Sequence, residues 1–130
     1  MTTATDTRES LSAALKTSTA EAHDKAEHSV FMDDLLAGKL SVADFIALQE
    51  QSWLFYSALE DAARAVADHP LASGIVDPAL ERVNALEHDL DHLHGSTEWR
   101  TTVTPLPATA EYIARLNDIE ETKDVAPLLA

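Results

Sequence analysis

Residues 10–28 read SLSAALKTSTAEAHDKAEH. Ser10 is a residue type favoured at a helix N-cap, and the apolar positions that follow recur at helical spacing, at Leu11, Leu15, Ala22 and Ala26. The stretch therefore predicts a first helix over residues 10–28. In the whole chain alanine is abundant, glycine occurs only three times and runs of β-branched residues are missing. This composition predicts an all-α protein of five or six helices with no sheet.

The next segments are bounded by helix-ending residues. A short turn of helix is predicted over residues 31–36, ended by Gly38. The longest helix is predicted to begin at Ser41, where an aspartate three residues on approximates a capping box, and to end near Asp68 because Pro70 cannot continue it. Its buried stripe is predicted at Phe45, Leu48, Ser52, Phe55, Leu59, Ala63 and Val66.

Two further helices follow. Asp77 and Pro78 give a cap and a proline at the first helical position, so one helix is predicted from there to Gly95. Its buried stripe is predicted at Leu80, Val83, Leu86, Leu90 and Leu93. Residues 99–107 form a connector with two prolines, and residues 108–121 form the last full helix. Its inward side chains are predicted to be Tyr112, Ile113, Leu116 and Ile119.

Length and composition bound the class of protein. At 130 residues we expect one domain, with a disordered N-terminus over residues 1–10 and a helical domain over residues 11–130. The formal net charge of −14 argues against nucleic acid or an anionic membrane as partner. Because cysteine is absent, disulfides, zinc–thiolate sites and thiolate ligands to iron are excluded. No signal peptide or spanning segment is evident, and we expect a soluble, cytoplasmic protein.

The first helix carries the strongest candidate site. One strip of its surface holds Lys16, Ala20, His23, Ala26 and Glu27. A flat ligand can lie across the two alanines, and the imidazole stands free between them. The ammonium, two turns away, can meet an anionic group on the ligand's edge, and the carboxylate can fix the imidazole tautomer. Spacing alone favours the plainer interpretation, a solvated helix face that carries a histidine.

Two other patterns are weaker. His88 and His92 stand four residues apart with His94 close by, which is ligand spacing for zinc or nickel. Histidine near a helix C-terminus is also favoured by the helix dipole, and this structural interpretation is preferred. The aromatic run at residues 53–56 is typical of a core segment, and the hydroxyl of Tyr56 needs a partner if it is buried.

A family resemblance covers the chain from residue 11 onward. The segment STAEAHDKAEHS at residues 18–29 closely resembles the proximal helix of haem oxygenases. The similarity to the bacterial, corynebacterial-type enzymes continues in order through FM at 31–32, LLAGKL at 35–40, LQEQSWLFYSALE at 48–60, DPAL at 77–80, GSTEWR at 95–100 and YIARL at 112–116.

The resemblance implies an all-helical haem oxygenase-like bundle that cleaves haem to biliverdin, CO and ferrous iron. Haem is both substrate and cofactor, O₂ is the oxidant, and an external electron-donating reductase is the partner. By the same resemblance His23 is the proximal iron ligand, and Glu27 is its hydrogen-bonding neighbour. Lys16 meets a haem propionate, Met32 lines the haem, and Tyr56 belongs to the distal water network. The helix strip adds Ala26 as a residue against which the flat ligand lies.

The resemblance also places the distal helix of the family just after the segment matched by residues 125–130. We therefore expect a bundle truncated before the distal helix, incomplete at its C-terminus. Such a chain is expected to associate with itself or with a missing C-terminal segment, because exposed apolar surface tends to be buried by association. The alternative function is a haem-binding or helical protein-interaction module without catalysis.

Overall fold

The computed structural model describes residues 9–129, and this part of the chain contains helices and turns without a strand. The predicted all-α class is confirmed. The chain divides into two compact units, residues 1–41 and residues 42–130. Residues 1–8, most of the predicted disordered N-terminus, lie outside the described residues.

The described part of the first unit holds two helices, α1 (Leu11–Glu27) and α2 (Val30–Leu36). Ser10 caps α1, as predicted, and its Oγ accepts a hydrogen bond from the backbone N–H of Ala13 at 3.3 Å. After α2 the chain reverses at Gly38, whose φ of 67° is a conformation that glycine adopts without strain. No residue of α1 is buried, so both helices owe their positions to local caps and to their contact with each other.

The second unit is built around its longest helix. Its elements are α3 (Val42–Ala65), a 3₁₀ turn (Pro78–Leu80), α4 (Val83–His94), α5 (Trp99–Thr102), α6 (Pro107–Thr122) and α7 (Val125–Leu129). α3 packs against α4 and against α6, while α5 contacts α4 and α7 contacts α6. The buried side chains form two clusters along this arrangement. One contains Ala58, Ala62, Leu116 and Ile119, and the other contains Val66, Ala72 and Val125.

The predicted stripe of α3 is largely wrong. The buried residues of the helix are Ala58, Glu60 and Ala62. Of the predicted stripe only Val66, just past the helix end, is buried; Phe45 is 40% exposed and the others are half-buried. Because α3 has neighbours on two sides, no single stripe describes it. The small side chains of Ala58 and Ala62 let α6 pack close to α3, whereas Glu60 faces α4.

Two predicted helix bounds change. α3 ends at Ala65, before the predicted Asp68, because its last turn tightens: the N–H of Val66 bonds to the carbonyl of Ala63, three residues back. The helix predicted to run unbroken from Asp77 is interrupted after the 3₁₀ turn, and α4 begins only at Val83. As a result Leu80, a predicted core position, is 60% exposed.

The interruption has an identifiable cause. The carboxylate of Glu60 accepts hydrogen bonds from the backbone N–H groups of Arg82 and Val83, the latter at 3.1 Å. It therefore takes the place of the carbonyls that an unbroken helix would offer. The turn before it has its own cap, since Asp77 Oδ1 accepts the N–H of Ala79 at 2.9 Å.

The remaining predictions are close to the structure. The connector contains the short helix α5, and α6 spans one residue more at each end than predicted. Leu116 and Ile119 are buried and Ile113 is half-buried, but Tyr112 is 44% exposed and packs its ring 5.8 Å from that of Phe55. Tyr112 was thus wrongly predicted to face inward.

Candidate functional site

The exposed face of α1 is the candidate site. His23 is 74% exposed, and its Nε2 lies 3.0 Å from Oε2 of Glu27, which is 57% exposed. The two residues are four apart on the helix, so their side chains meet on one face. The spacing thus brings these two predicted residues together.

The surroundings of His23 leave room for a flat molecule. Ala20 and Ala26, three residues away on either side, are both exposed and present only methyl groups. Lys16 is also exposed, two turns earlier, or roughly 10 Å by the helix rise. Beside this strip Lys25 pairs with Glu21 at 3.0 Å. Positive charge is therefore available on a helix of an otherwise strongly acidic chain.

Met32 lies on α2, in the same unit as His23. Its side chain is half-buried, and its backbone N–H donates to Ser29 Oγ at 3.3 Å, which caps the helix. The cap fixes where α2 starts, and it therefore fixes which way the methionine projects from that helix. Among residues 9–129 no hydrogen bond or ion pair joins Met32 to His23.

Tyr56 belongs to the second unit, on α3. It is half-buried, its ring lies 4.8 Å from that of Phe55, and it lines a cavity of about 260 Å³. The cavity is mostly apolar, with walls from α3, the 3₁₀ turn and α7. The predicted site residues therefore fall in two groups, five of them within residues 9–41 and Tyr56 within residues 42–129.

An ion pair lines the same cavity. Arg64 donates two hydrogen bonds to Glu81, at 2.8 and 2.6 Å. These bonds lower the pKa of the Glu81 carboxyl and raise the pKa of the Arg64 guanidinium. Bidentate pairing of this kind fixes geometry more than it adds stability at a half-exposed site. The Arg64–Glu81 pair joins α3 to the segment before α4.

The alternative metal site on α4 does not form. Within residues 9–129 no group of three His, Cys, Asp or Glu side chains could hold a metal ion. His94 follows His92 by two residues, which rotates it by about 200° around the helix. It faces α3 instead, with Nε2 2.8 Å from Oε1 of Glu50 and its ring stacked on Trp99.

Sequence reasoning missed the polar partners of the aromatic residues. Trp53 donates its indole N–H to Glu87 at 3.1 Å, and Trp99 donates to Asp91 at 2.8 Å. Arg100 lies within 4 Å of both carboxylates, 3.6 and 2.9 Å away, and its guanidinium lies 5.4 Å from the centre of the Trp99 ring. The signal was present in the i, i+4 spacing of the two acids, which gives α4 an acidic edge.

No helix in the described part of the chain is both long and apolar enough to cross a membrane.

The fold matches that of a solved haem-binding protein. The crystal structure of haem oxygenase-1 from the cyanobacterium Synechocystis, in complex with haem, superposes with a TM-score of 0.75 at 31% identity. The match covers 89% of this chain and 51% of that one. At 31% identity the two chains are similar in sequence as well as in fold.

The family is shown by its sequence model. The Heme oxygenase family model matches residues 9–130, and the chain belongs to this family. It is 35% identical over 108 residues to heme oxygenase 1 of Gallus gallus, a match that covers 82% of this chain and 36% of that protein. It is 30% identical over 109 residues to heme oxygenase 1 of Nostoc, covering 84% and 45%. The chain therefore spans a third to a half of the length of these relatives.

Proposed function

We propose that the chain supplies the proximal, haem-binding part of a haem oxygenase, with His23 as the iron ligand. The observation that carries the proposal is an imidazole that is 74% exposed between two alanines, in a chain of this family. His28 at the end of the same helix is also exposed, but Lys25 and Phe31 stand three residues from it, where His23 has the two alanines.

The residues on this face fit haem. Haem iron accepts a neutral imidazole, and cysteine is absent from the sequence as a competing ligand. The methyl groups of Ala20 and Ala26 can lie against a flat porphyrin. Lys16 can hold a propionate, which the negative charge of the chain would otherwise repel. When bound, haem supplies the iron that activates O₂ and the macrocycle that is opened.

The chain's own residues then have separable roles. With Nε2 on the iron, Glu27 would accept a hydrogen bond from Nδ1–H of His23 and so orient the ring. Ala26 and Met32 line the haem, and Tyr56 orders water on the oxygen side. An external reductase supplies electrons, the products are biliverdin, CO and ferrous iron, and the reaction takes place in the cytoplasm.

A turnover assay tests the proposal. With haem, O₂ and a reducing system we expect slow formation of biliverdin and CO by the unaltered chain, which supplies the proximal part only, and neither product from His23→Ala. His28→Ala is the matched control, since His28 is exposed at the end of the same helix, 3.7 Å from Asp24. Haem that stays intact or only bleaches with the unaltered chain would instead indicate a carrier, and oxygenase activity would be rejected.

A further inference from the structure

One hydroxyl group joins the two helices of the first unit. Ser29 Oγ accepts the backbone N–H of Met32 at 3.3 Å, and its O–H donates to the backbone carbonyl of Ala26 at 3.1 Å. A serine hydroxyl has one donor and two acceptor lone pairs, so both bonds can form at once. A bridge of two hydrogen bonds therefore connects the last turn of α1 to the first turn of α2.

The connection between α1 and α2 is short and local. Only His28 and Ser29 separate the two helices, and neither helix buries a residue in a core. Ser29 is half-buried, and its backbone is extended, with φ −66° and ψ 149°. The chain therefore changes direction at Ser29. The hydrogen bonds of its hydroxyl hold that change of direction and so set how α2 leaves α1.

The bridge connects two residues that are proposed to lie against haem. Ala26 is three residues from His23 on α1, and Met32 is the third residue of α2. We propose that Ser29 is a positioning residue of the haem site, whose hydroxyl sets where Met32 lies relative to Ala26 and His23. The inference rests on the proposed function and gives a role to a residue outside the predicted site. Ser29 acts on haem only through the residues that it holds.

The expected effect follows from the strength of a helix cap. Removing a capping hydroxyl shifts the balance between the capped and the frayed helix by about three- to tenfold. α2 has only seven residues and no buried side chain to compensate for the loss. Without the bridge Met32 takes several positions, and haem binds fully only to the fraction of chains in which Met32 is in place. The affinity for haem therefore falls by about the same factor.

A haem titration with two variants of Ser29 tests the role. In Ser29→Ala we expect about three- to tenfold weaker haem binding and a changed circular dichroism of the haem absorption band, because Met32 no longer holds one position. Ser29→Thr keeps the hydroxyl and should restore both. Ser10→Ala is the matched control, since Ser10 makes the same 3.3 Å cap at the opposite end of α1. Equal weakening in Ser10→Ala, or no rescue by threonine, would overturn the positioning role.

The absorption spectrum separates this inference from the proposed function. In Ser29→Ala the iron ligand is still His23, so the absorption spectrum of bound haem should match that of the unaltered chain. If His23→Ala leaves the spectrum and the affinity unchanged, the proposed function is rejected, and the role of Ser29 with it. If His23→Ala alters both while Ser29→Ala behaves like Ser10→Ala, only the role of Ser29 is rejected.

A second experiment uses no haem. Amide hydrogen exchange followed by NMR measures how firmly the N–H of Met32 is held. We expect this amide to exchange about three- to tenfold faster in Ser29→Ala than in the unaltered chain, and at the unaltered rate in Ser29→Thr. If the exchange of the Met32 amide is the same in Ser29→Ala as in the unaltered chain, the hydroxyl does not hold Met32 and the inference is overturned.

Discussion

The carboxylate of Glu60, on α3, accepts the backbone N–H of Val83 at 3.1 Å and fixes where α4 begins. Glu60 is only 6% exposed, and its second oxygen lies 3.9 Å from Arg64. A buried carboxylate is tolerated when hydrogen bonds satisfy it, and here two backbone N–H groups donate to it while the guanidinium adds a longer ion-pair contact. One side chain thus joins the two helices.

Replacing Glu60 by alanine should therefore destabilise the second unit. The variant leaves the N–H groups of Arg82 and Val83 without their acceptor, and we expect the free energy of unfolding to fall by about 1–3 kcal/mol. Urea denaturation followed by circular dichroism measures the change. Glu120→Ala, at an exposed position of α6, is the control. Similar losses in both variants would show that the contact contributes nothing specific.

The interrupted helix makes a second prediction. Leu80 and Leu90 occupy one predicted stripe, yet Leu90 is fully buried and Leu80 is 60% exposed. Leu90→Ala should lower the free energy of unfolding by about 2–5 kcal/mol because it opens a cavity. Leu80→Ala should cost less than about 1 kcal/mol. Equal costs for the two substitutions would indicate that Leu80 is as buried as Leu90, as an unbroken helix predicts.

The Arg64–Glu81 pair predicts a pH dependence of stability. Hydrogen bonds from Arg64 lower the pKa of Glu81 in the folded chain, so the unfolded chain binds more protons in the acidic range. The stabilisation of the fold by this pair is therefore complete above the ordinary carboxyl pKa. It is lost as the pH falls through the lowered pKa of Glu81.

Glu81→Gln removes this dependence. The unaltered chain should be the more stable of the two at neutral pH, and the difference should shrink on acidification below the ordinary pKa of 4.5. Denaturation midpoints over a pH series measure it, with Glu111→Gln at an exposed position of α6 as the control. A difference that grows on acidification would contradict the sign of the pKa shift.

Local signals explain what the sequence could predict. Ser10 and Gly38 are local determinants of helix ends, and the structure places a cap and a positive φ at these residues. The interruption before Val83 could not be predicted, because its cause is a side chain 23 positions earlier. The same limit applies to the site. Spacing predicts that His23 and Glu27 meet, but it does not predict which ring nitrogen the carboxylate contacts.

Charge predicts how haem binding depends on the few basic residues. Haem propionates and the chain, with its formal charge of −14, repel each other. Each of the few lysines on α1 should therefore contribute strongly to haem binding. Lys16→Glu should weaken haem binding about two- to fivefold more than Lys123→Glu, which makes the same change of charge beyond the end of α6. Equal weakening would indicate a general field without a specific contact.

The central claim is that His23 binds the haem iron, and a titration of haem followed by its absorption spectrum tests it most directly. In His23→Ala we expect the spectrum of the bound form to change and the affinity to fall at least about tenfold, because losing the ligand costs no less than losing its supporting contacts. His28→Ala should match the unaltered chain in both respects. If His23→Ala leaves the spectrum and the affinity unchanged, His23 is not the ligand.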